Sequence, residues 1–499
     1  MKRFSLAVIL GMVMLISGLV SSPALAVADW TIMVFLNADN NLDSFGVSDM
    51  NEMEKIGSTG RVNIVVQIDR EHGPAKRYLI RKDSSGSVSS PVIQNLGEVN
   101  MGDYNELVKF VKWAAAKYPA KHYMLDVWNH GAGWKLRYDT PVYRGVSYDD
   151  HPWGYITTRQ MGEAAKQIKR ILGKNLDILG YDCCLMQMAE VAYQVMGYVD
   201  YHVASEETEP GDGWRYDTWL RHVVKTPSMS AGTLASKIVA EYVKSYSFMF
   251  SVTQSSVKPR SLNLLGKRIK KLVDILKKAP GQANNVAAAQ AKVQKFYDSD
   301  YVDLYHLMDL LKENINIAAV RNAVNDVIYT KSSVVHKEGH KGWKVGKSQG
   351  LAIYFPPASR YRYDYEKLAF AEDTGWGELL KTYFDARLAD SFGRLAWLAE
   401  ERKASADKPE ELDRISYMER ETKAYVEEKL AEKLRAGDYQ ALEQLTAYIE
   451  GEGPGVEQAL QPVLGVAREQ LTNMVLGSED ALKRADVLRK LMKVNDLMR

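Results

Sequence analysis

The chain has 499 residues, 46 % of them hydrophobic, and its 65 basic and 63 acidic side chains leave a formal charge of +2. That balance excludes a nucleic-acid bias, a strongly acidic character and a disordered composition, and it describes a soluble chain able to bury a large core. The only two cysteines, Cys183 and Cys184, are neighbours, so no disulfide framework holds the fold and no ordinary bridge joins the pair.

In chain order, Lys2 and Arg3 precede an apolar stretch over 6–20 and then Ser21-Ser22-Pro23-Ala24-Leu25-Ala26. This is the pattern of an export signal with a small-residue cut site, so residues 1–26 are expected to be removed. No later run is long and uncharged enough to cross a bilayer, which predicts a periplasmic or extracellular protein without stable membrane insertion.

Apolar strand-like runs follow at 30–36, 63–68, 123–128, 176–180 and 201–204, with amphipathic helical stretches over 104–116 and 161–172 between them. Such alternation predicts an α/β fold with a largely parallel, buried central sheet flanked by helices. Helices are expected over 231–246, 265–278, 315–328 and 376–384, and a further strand over 350–355. After about Ser391 the composition turns to charged helices rich in Ala, Glu, Lys and Leu, broken at Lys408-Pro409 and at 451–455. The expected division is a signal over 1–26, an α/β domain over 27–390 and a helical C-terminal region over 391–499.

Two of the strand-like runs end in reactive residues. One leads into His130-Gly131-Ala132-Gly133 and the other into Asp182-Cys183-Cys184. In parallel sheets, reactive groups collect at the carboxyl ends of strands. A cysteine attacks a carbonyl carbon as thiolate and needs a base beside it, which a histidine from an adjacent strand end supplies. Gly131 lets the backbone approach a substrate, and its amide with that of the nucleophile is a candidate oxyanion donor pair. The competing reading is two small core residues at a strand end, with His130 hydrogen-bonded in a turn. His72-Gly73 reads as a solvated turn before Pro74, and His336 and His340 lack the Glu placement of a zinc-peptidase helix, so no metal set is read.

Several ordered blocks now carry a resemblance: Trp30-Thr31-Ile32-Met33-Val34 with Ala38-Asp39-Asn40-Asn41-Leu42, Asn129-His130-Gly131-Ala132-Gly133-Trp134, Gly180-Tyr181-Asp182-Cys183-Cys184-Leu185-Met186, and Ala204-Ser205-Glu206-Glu207 with Pro210-Gly211-Asp212-Gly213-Trp214. Together with Ile353-Tyr354-Phe355-Pro356 and Asp373-Thr374-Gly375-Trp376, these resemble the clostripain family of cysteine peptidases, in the caspase-like clan, from about Asp29 to Phe384. The resemblance implies a caspase-like sheet, Cys184 as nucleophile, His130 as general acid and base, and oxyanion donors at Gly131 and Cys184. Cys183 stands where family members usually carry a small residue. A helix from Met186 onward would add its N-terminal dipole beside Cys184.

Asp182 matches the family's acidic residue in the pocket for the side chain before the scissile bond, which implies cleavage after Arg or Lys, with Asp212 a candidate second acid. The implied partners are protein or peptide substrates with basic residues. The chemistry requires no cofactor; calcium enters from the resemblance, with Asp149-Asp150 as candidate acids. Self-cleavage is implied in the loop from Lys135-Leu136-Arg137 to Arg144-Gly145. The alternative function is a non-catalytic exported binding or scaffold protein on the same fold. The resemblance does not reach beyond residue 391.

Overall fold

A computed structural model describes residues 27–136, 144–356, 361–383, 388, 391–392, 395, 398, 402, 409–452, 454–477 and 481–498. Its strands are β1 (Ala28–Ala38), β2 (Val62–Arg70), β3 (Ala75–Leu79), β4 (Val92–Gly97), β5 (Ala120–Trp128), β6 (Gly131–Leu136), β7 (Arg144–Asp150), β8 (Trp153–Ile156), β9 (Leu176–Asp182), β10 (Val199–Ala204), β11 (Val252–Val257), β12 (Tyr301–Asp303), β13 (Val335–Lys341) and β14 (Ala352–Tyr354). Among the described residues, nine strands form one sheet in the order β13-β11-β10-β9-β5-β1-β2-β3-β4. The central five, β10-β9-β5-β1-β2, run parallel, as the apolar runs predict. Antiparallel neighbours close both edges.

Strand β1 shows why this sheet is buried on both faces. Met33 and Phe35 join one cluster with Phe110, Val111 and Met161, while Ile32, Val34 and Leu36 join another with Met50, Met53, Trp219 and Ile238. The period of two in side-chain direction therefore feeds two cores at once, one on each face. Helices Tyr104–Lys117 and Thr158–Leu172 cover the first face. Helices Asp43–Glu54, Tyr216–Lys225 and Ala231–Ser245 cover the second.

Local signals fix the helix ends. Asp103 caps the first residues of Tyr104–Lys117 by accepting from Asn105 N. Thr157 and Gln160 form a reciprocal capping box, so the helix expected from Met161 begins three residues earlier, at Thr158. The helix expected over 315–328 is present from Ala318 to Ile328, and a separate helix not read in the sequence, Leu304–Asn314, precedes it.

Strand β11, Val-Thr-Gln-Ser-Ser-Val, lacks an apolar signature yet is buried throughout. Two of its polar side chains find partners inside: Gln187 Nε2 donates to Ser255 O at 2.7 Å and to Ser255 Oγ at 2.6 Å, and Ser205 Oγ meets Thr253 Oγ1 at 2.9 Å. At the C-terminus, helices Pro409–Arg435, Gln440–Glu452, Pro454–Gly477 and Ala481–Leu497 share an apolar cluster with Leu388 and Phe392. Pro409 and Pro454 each open a helix, where the missing amide costs nothing.

Thr157→Ala removes the capping box while leaving the buried face intact. It is expected to lower stability by about 1 kcal/mol, read as a shift in urea midpoint at unchanged m-value.

Candidate active site

Strands β5 and β9 pair in parallel register with Trp128 opposite Asp182. Asn129 N then donates to Asp182 O at 3.3 Å, carrying the ladder one residue further. His130 and Cys184 are each two residues past that last pair and so leave the sheet side by side. The two turns touch: a Cβ built on Gly131 would lie 2.4 Å from Cys184 O and 3.1 Å from Cys183 Sγ. Only glycine allows so close an approach. On the other side, Leu185 N donates to Glu207 O at 3.2 Å and Gln187 N to Ser205 O at 2.9 Å. Leu185 is left-handed, with φ 65°, which turns the chain sharply straight after Cys184.

His130 Nε2 lies 2.7 Å from Asn41 Oδ1. With Asn41 Oδ1 accepting, the proton sits on Nε2 and Nδ1 is the basic nitrogen, an assignment tied to that orientation of the amide and the ring. Burial pushes the His130 imidazole down to about 4, so it is neutral at neutral pH. Burial also pushes the Cys184 thiol up, opposed by the Glu209 amide, which donates to Cys184 Sγ at 3.3 Å. The resting pair is therefore a neutral thiol beside a neutral imidazole. Cys184 is half-buried, whereas Cys183 is buried in the core and its thiol is pushed far up by burial; both are unbridged.

Next to the thiol, linked through Glu209, lies a buried acidic cluster. Asp182 is 3 % exposed and accepts from Trp214 N at 3.1 Å through Oδ1 and at 3.2 Å through Oδ2. Tyr216 Oη lies 2.9 Å from Asp182 Oδ2 and 2.7 Å from Asp126 Oδ2. One phenolic proton can serve only one of these carboxylates, so the second contact requires a protonated acid. Asp126 supplies it, being raised to about 8 by burial and by the charge of Asp182. Glu209, bonded to Asp182, is likewise pushed well up by burial and by that charge. Asp182 is raised to about 6 by burial, which makes it the charged member at neutral pH. Gly213, at φ 50°, brings its backbone so near that a Cβ there would lie 2.7 Å from Asp182 Oδ1. Tyr246 Oη donates to Gly213 O at 2.7 Å and closes that wall.

Other expected residues lie elsewhere. Asp212 is exposed, on the turn closed by Gly213 N donating to Pro210 O at 2.9 Å, and so stands at the rim of the cluster. The helix expected from Met186 begins at Ala189 and runs only to Gln194. Residues Gln187 and Met188 are instead held extended, with Ala352 N donating to Gln187 O at 2.9 Å, so no helix N-terminus adjoins Cys184. Asp149 is buried with both oxygens engaged, by Met101 N at 2.7 Å and His151 N at 3.1 Å. No group of three or more acidic, histidine or cysteine side chains converges as a metal site among the described residues. Of the stretch expected to be cut, from Lys135 to Gly145, residues 137–143 lie outside the described residues.

Asn41, Glu209, Asp126 and Tyr216 were missed as functional residues. Asn41 lies inside the resembling block after β1, and its position past the end of a strand next to β5 is the signal that could have found it.

Comparison with known proteins fits this geometry. The profile of the clostripain family matches residues 34–383, and the chain belongs to that family of cysteine peptidases. It is 30 % identical over 216 residues to clostripain of Hathewaya histolytica, a stretch covering 38 % of this chain and 40 % of that relative. The fold is similar to that of a secreted C11 cysteine protease from Bacteroides thetaiotaomicron solved with an irreversible peptide inhibitor, with TM-score 0.56 and 20 % identity over 70 % of this chain and 100 % of that one. An inactive zymogen C11 protease from Parabacteroides distasonis matches at TM-score 0.54 and 17 % identity over 70 % of this chain and 98 % of that one.

The proton on Asp126 has a measurable consequence. Its folded value of about 8 lies above the ordinary 3.8, so the folded chain holds a proton that the unfolded chain releases. Stability from this group is full below about pH 4 and is lost as pH rises through about 8. Asp126→Asn keeps a donor toward Tyr216 without the titration. Relative to this variant, wild-type urea midpoints are expected to fall between pH 5 and pH 8, and a constant difference contradicts the assignment.

Proposed function

We propose that the chain is an exported cysteine endopeptidase that hydrolyses peptide bonds after Arg, and less readily Lys, using Cys184 and His130. The observation that carries this reading is the approach of the His130-Gly131 turn to the Cys184 turn beside a buried carboxylate cluster. A guanidinium reaching the cluster meets Asp182 as its charge partner, with Glu209 behind it and Asp212 at the rim. The planar fork of Arg suits paired carboxylate oxygens better than the ammonium of Lys.

In this mechanism the Cys184 proton moves to His130 Nδ1 as sulfur bonds to the substrate carbonyl carbon. The amides of Gly131 and Cys184 hold the oxyanion. The peptide C–N bond then breaks as His130 returns that proton to the departing nitrogen. Water, deprotonated by His130, displaces sulfur from the acyl group and regenerates the thiol. Asn41 holds the imidazole so that Nδ1 faces the chemistry throughout.

Two processing steps belong to the same reading. Residues 1–26 are a signal removed on export, just ahead of β1. No helix among the described residues is long and apolar enough to cross a membrane. The basic loop between β6 and β7 is cut by the enzyme itself. Intact mass should then show wild-type chains ending or beginning within 135–144 and Cys184→Ala chains uncut; identical single chains in both would refute self-processing. Calcium acts, if at all, outside the chemical steps, and assay with and without a chelator measures its effect.

Cys184→Ala and His130→Ala are expected to reduce kcat on an arginyl-amide substrate by at least about a thousandfold with unchanged melting temperature. Asp182→Asn should chiefly lower kcat/KM for Arg relative to Leu substrates, by about a hundredfold. For wild type, kcat/KM on Arg substrates should rise through about pH 6, where Asp182 loses its proton, and a Leu substrate should lack that limb. Full turnover by Cys184→Ala sinks the proposal.

A further inference from the structure

Four large apolar side chains stand in water at one corner of the sheet. Phe248, Met249 and Phe250 are 66 %, 88 % and 49 % exposed, and Trp343 is 75 % exposed. Soluble proteins rarely leave such residues together without an occupant.

Connectivity places this corner at the same sheet end as Cys184. Strand β11 runs antiparallel to β10, with Ala204 opposite Ser255, so the segment entering β11 adjoins the segment leaving β10. Val252 in turn pairs with Lys341 at the end of β13, and a Cβ built on Gly342 would lie 2.4 Å from Phe250 O. The 246–252 and 341–343 segments are thus one corner, and Lys341 Nζ bonding Tyr246 O at 2.6 Å ties it down. This corner is continuous with the acidic cluster. The Phe250 ring lies 5.6 Å from that of Tyr246, whose hydroxyl bonds Gly213 O against Asp182. The charge of Lys344 also reaches Glu207, on the segment that flanks the Cys184 turn.

Direction follows from the chemistry. The general acid must stand at the departing nitrogen, so the leaving half of a substrate passes His130 on the β5 side. The acyl half then runs the other way, over β10 toward β11 and β13. Strands are spaced about 4.8 Å apart, which puts the patch roughly 10–15 Å from the end of β9, and an extended peptide covers that in about three or four residues at roughly 3.3 Å each.

We infer that Phe248, Met249, Phe250 and Trp343 form a subsite for a bulky apolar side chain three or four residues upstream of the basic residue. The preferred substrate is an extended segment with an aromatic or large aliphatic residue there and Arg before the cut. This subsite rests on the peptidase reading above.

The test uses fluorogenic peptides ending in Arg, with Phe, Leu, Ser or Asp at the third and fourth upstream positions and Ala elsewhere. Wild type should favour Phe or Leu over Ser by roughly tenfold or more in kcat/KM at one of these positions. In Phe248→Ser/Met249→Ser/Trp343→Ser that ratio should collapse toward one. Should the triple variant fold poorly, Met249→Ser alone should lower the ratio measurably. A flat wild-type profile, or a preference that survives the substitutions, overturns the subsite. So does a concentration-dependent dimer abolished by the same substitutions, since the patch would then be an interface between two copies. If wild type cleaves none of the Arg peptides, the peptidase proposal itself has failed, an outcome separate from cleavage without upstream preference.

Discussion

The parallel register between β5 and β9 governs the site. Trp128 opposite Asp182 puts His130 and Cys184 each two residues past the last pair, on turns that come close at Gly131, and the same pairing sends Asp182 and Asp126 toward one face. A slip of one residue would turn every side chain of one strand to the other face and separate imidazole from thiol. The register is held by burial on both faces, since Leu125 and Val127 feed one core and Met124 and Trp128 the other. Gly131 and the left-handed Leu185 act at the exits, where the ladder ends and the two turns must nearly touch.

The second constraint is the handling of buried charge. Several carboxyls crowd one region: Asp49, Asp126 and Asp182 are buried and Glu209 is half-buried beside them. Burial and the charge of Asp182 push the carboxyls of Asp49, Asp126 and Glu209 up, which favours their protonated forms. Asp182 keeps its charge because Trp214 N–H and Tyr216 O–H donate to it. In the proposed reading, the cation that matches a buried carboxylate so prepared is the basic side chain of a substrate. Burial likewise pushes the His130 imidazole down and the Cys184 thiol up, which disfavours the charged form of each.

Much of this was legible in the sequence. The five central strands announced themselves as apolar runs because parallel strands buried on both faces need no polar alternation. His130 and Cys184 were visible because each terminates such a run. What escaped the sequence were groups whose role depends on contacts between distant segments. Strand β11 is polar in composition, and only its bonds to Gln187 and Ser205 make burial affordable. Glu209 was not singled out in the sequence, because its place depends on its amide donating to Cys184 Sγ and its carboxyl bonding Asp182 across the loop. The helix expected after Met186 failed because Ser205 and Ala352 capture that backbone for sheet-like pairing before a helix can start. Asp212, on a turn between two glycines, is exposed rather than part of the buried acidic cluster.

The most direct measurement is covalent trapping. Incubating the purified chain with a peptidyl-arginine chloromethyl ketone and mapping the adduct by mass spectrometry reports nucleophile, base and pocket together. One adduct per chain is expected, on Cys184, slowed strongly in His130→Ala and replaced by no other site in Cys184→Ala. An adduct on Cys183, or labelling that is indifferent to His130 and to replacement of the arginine by leucine, would contradict a thiol activated by His130 beside a cation-binding cluster.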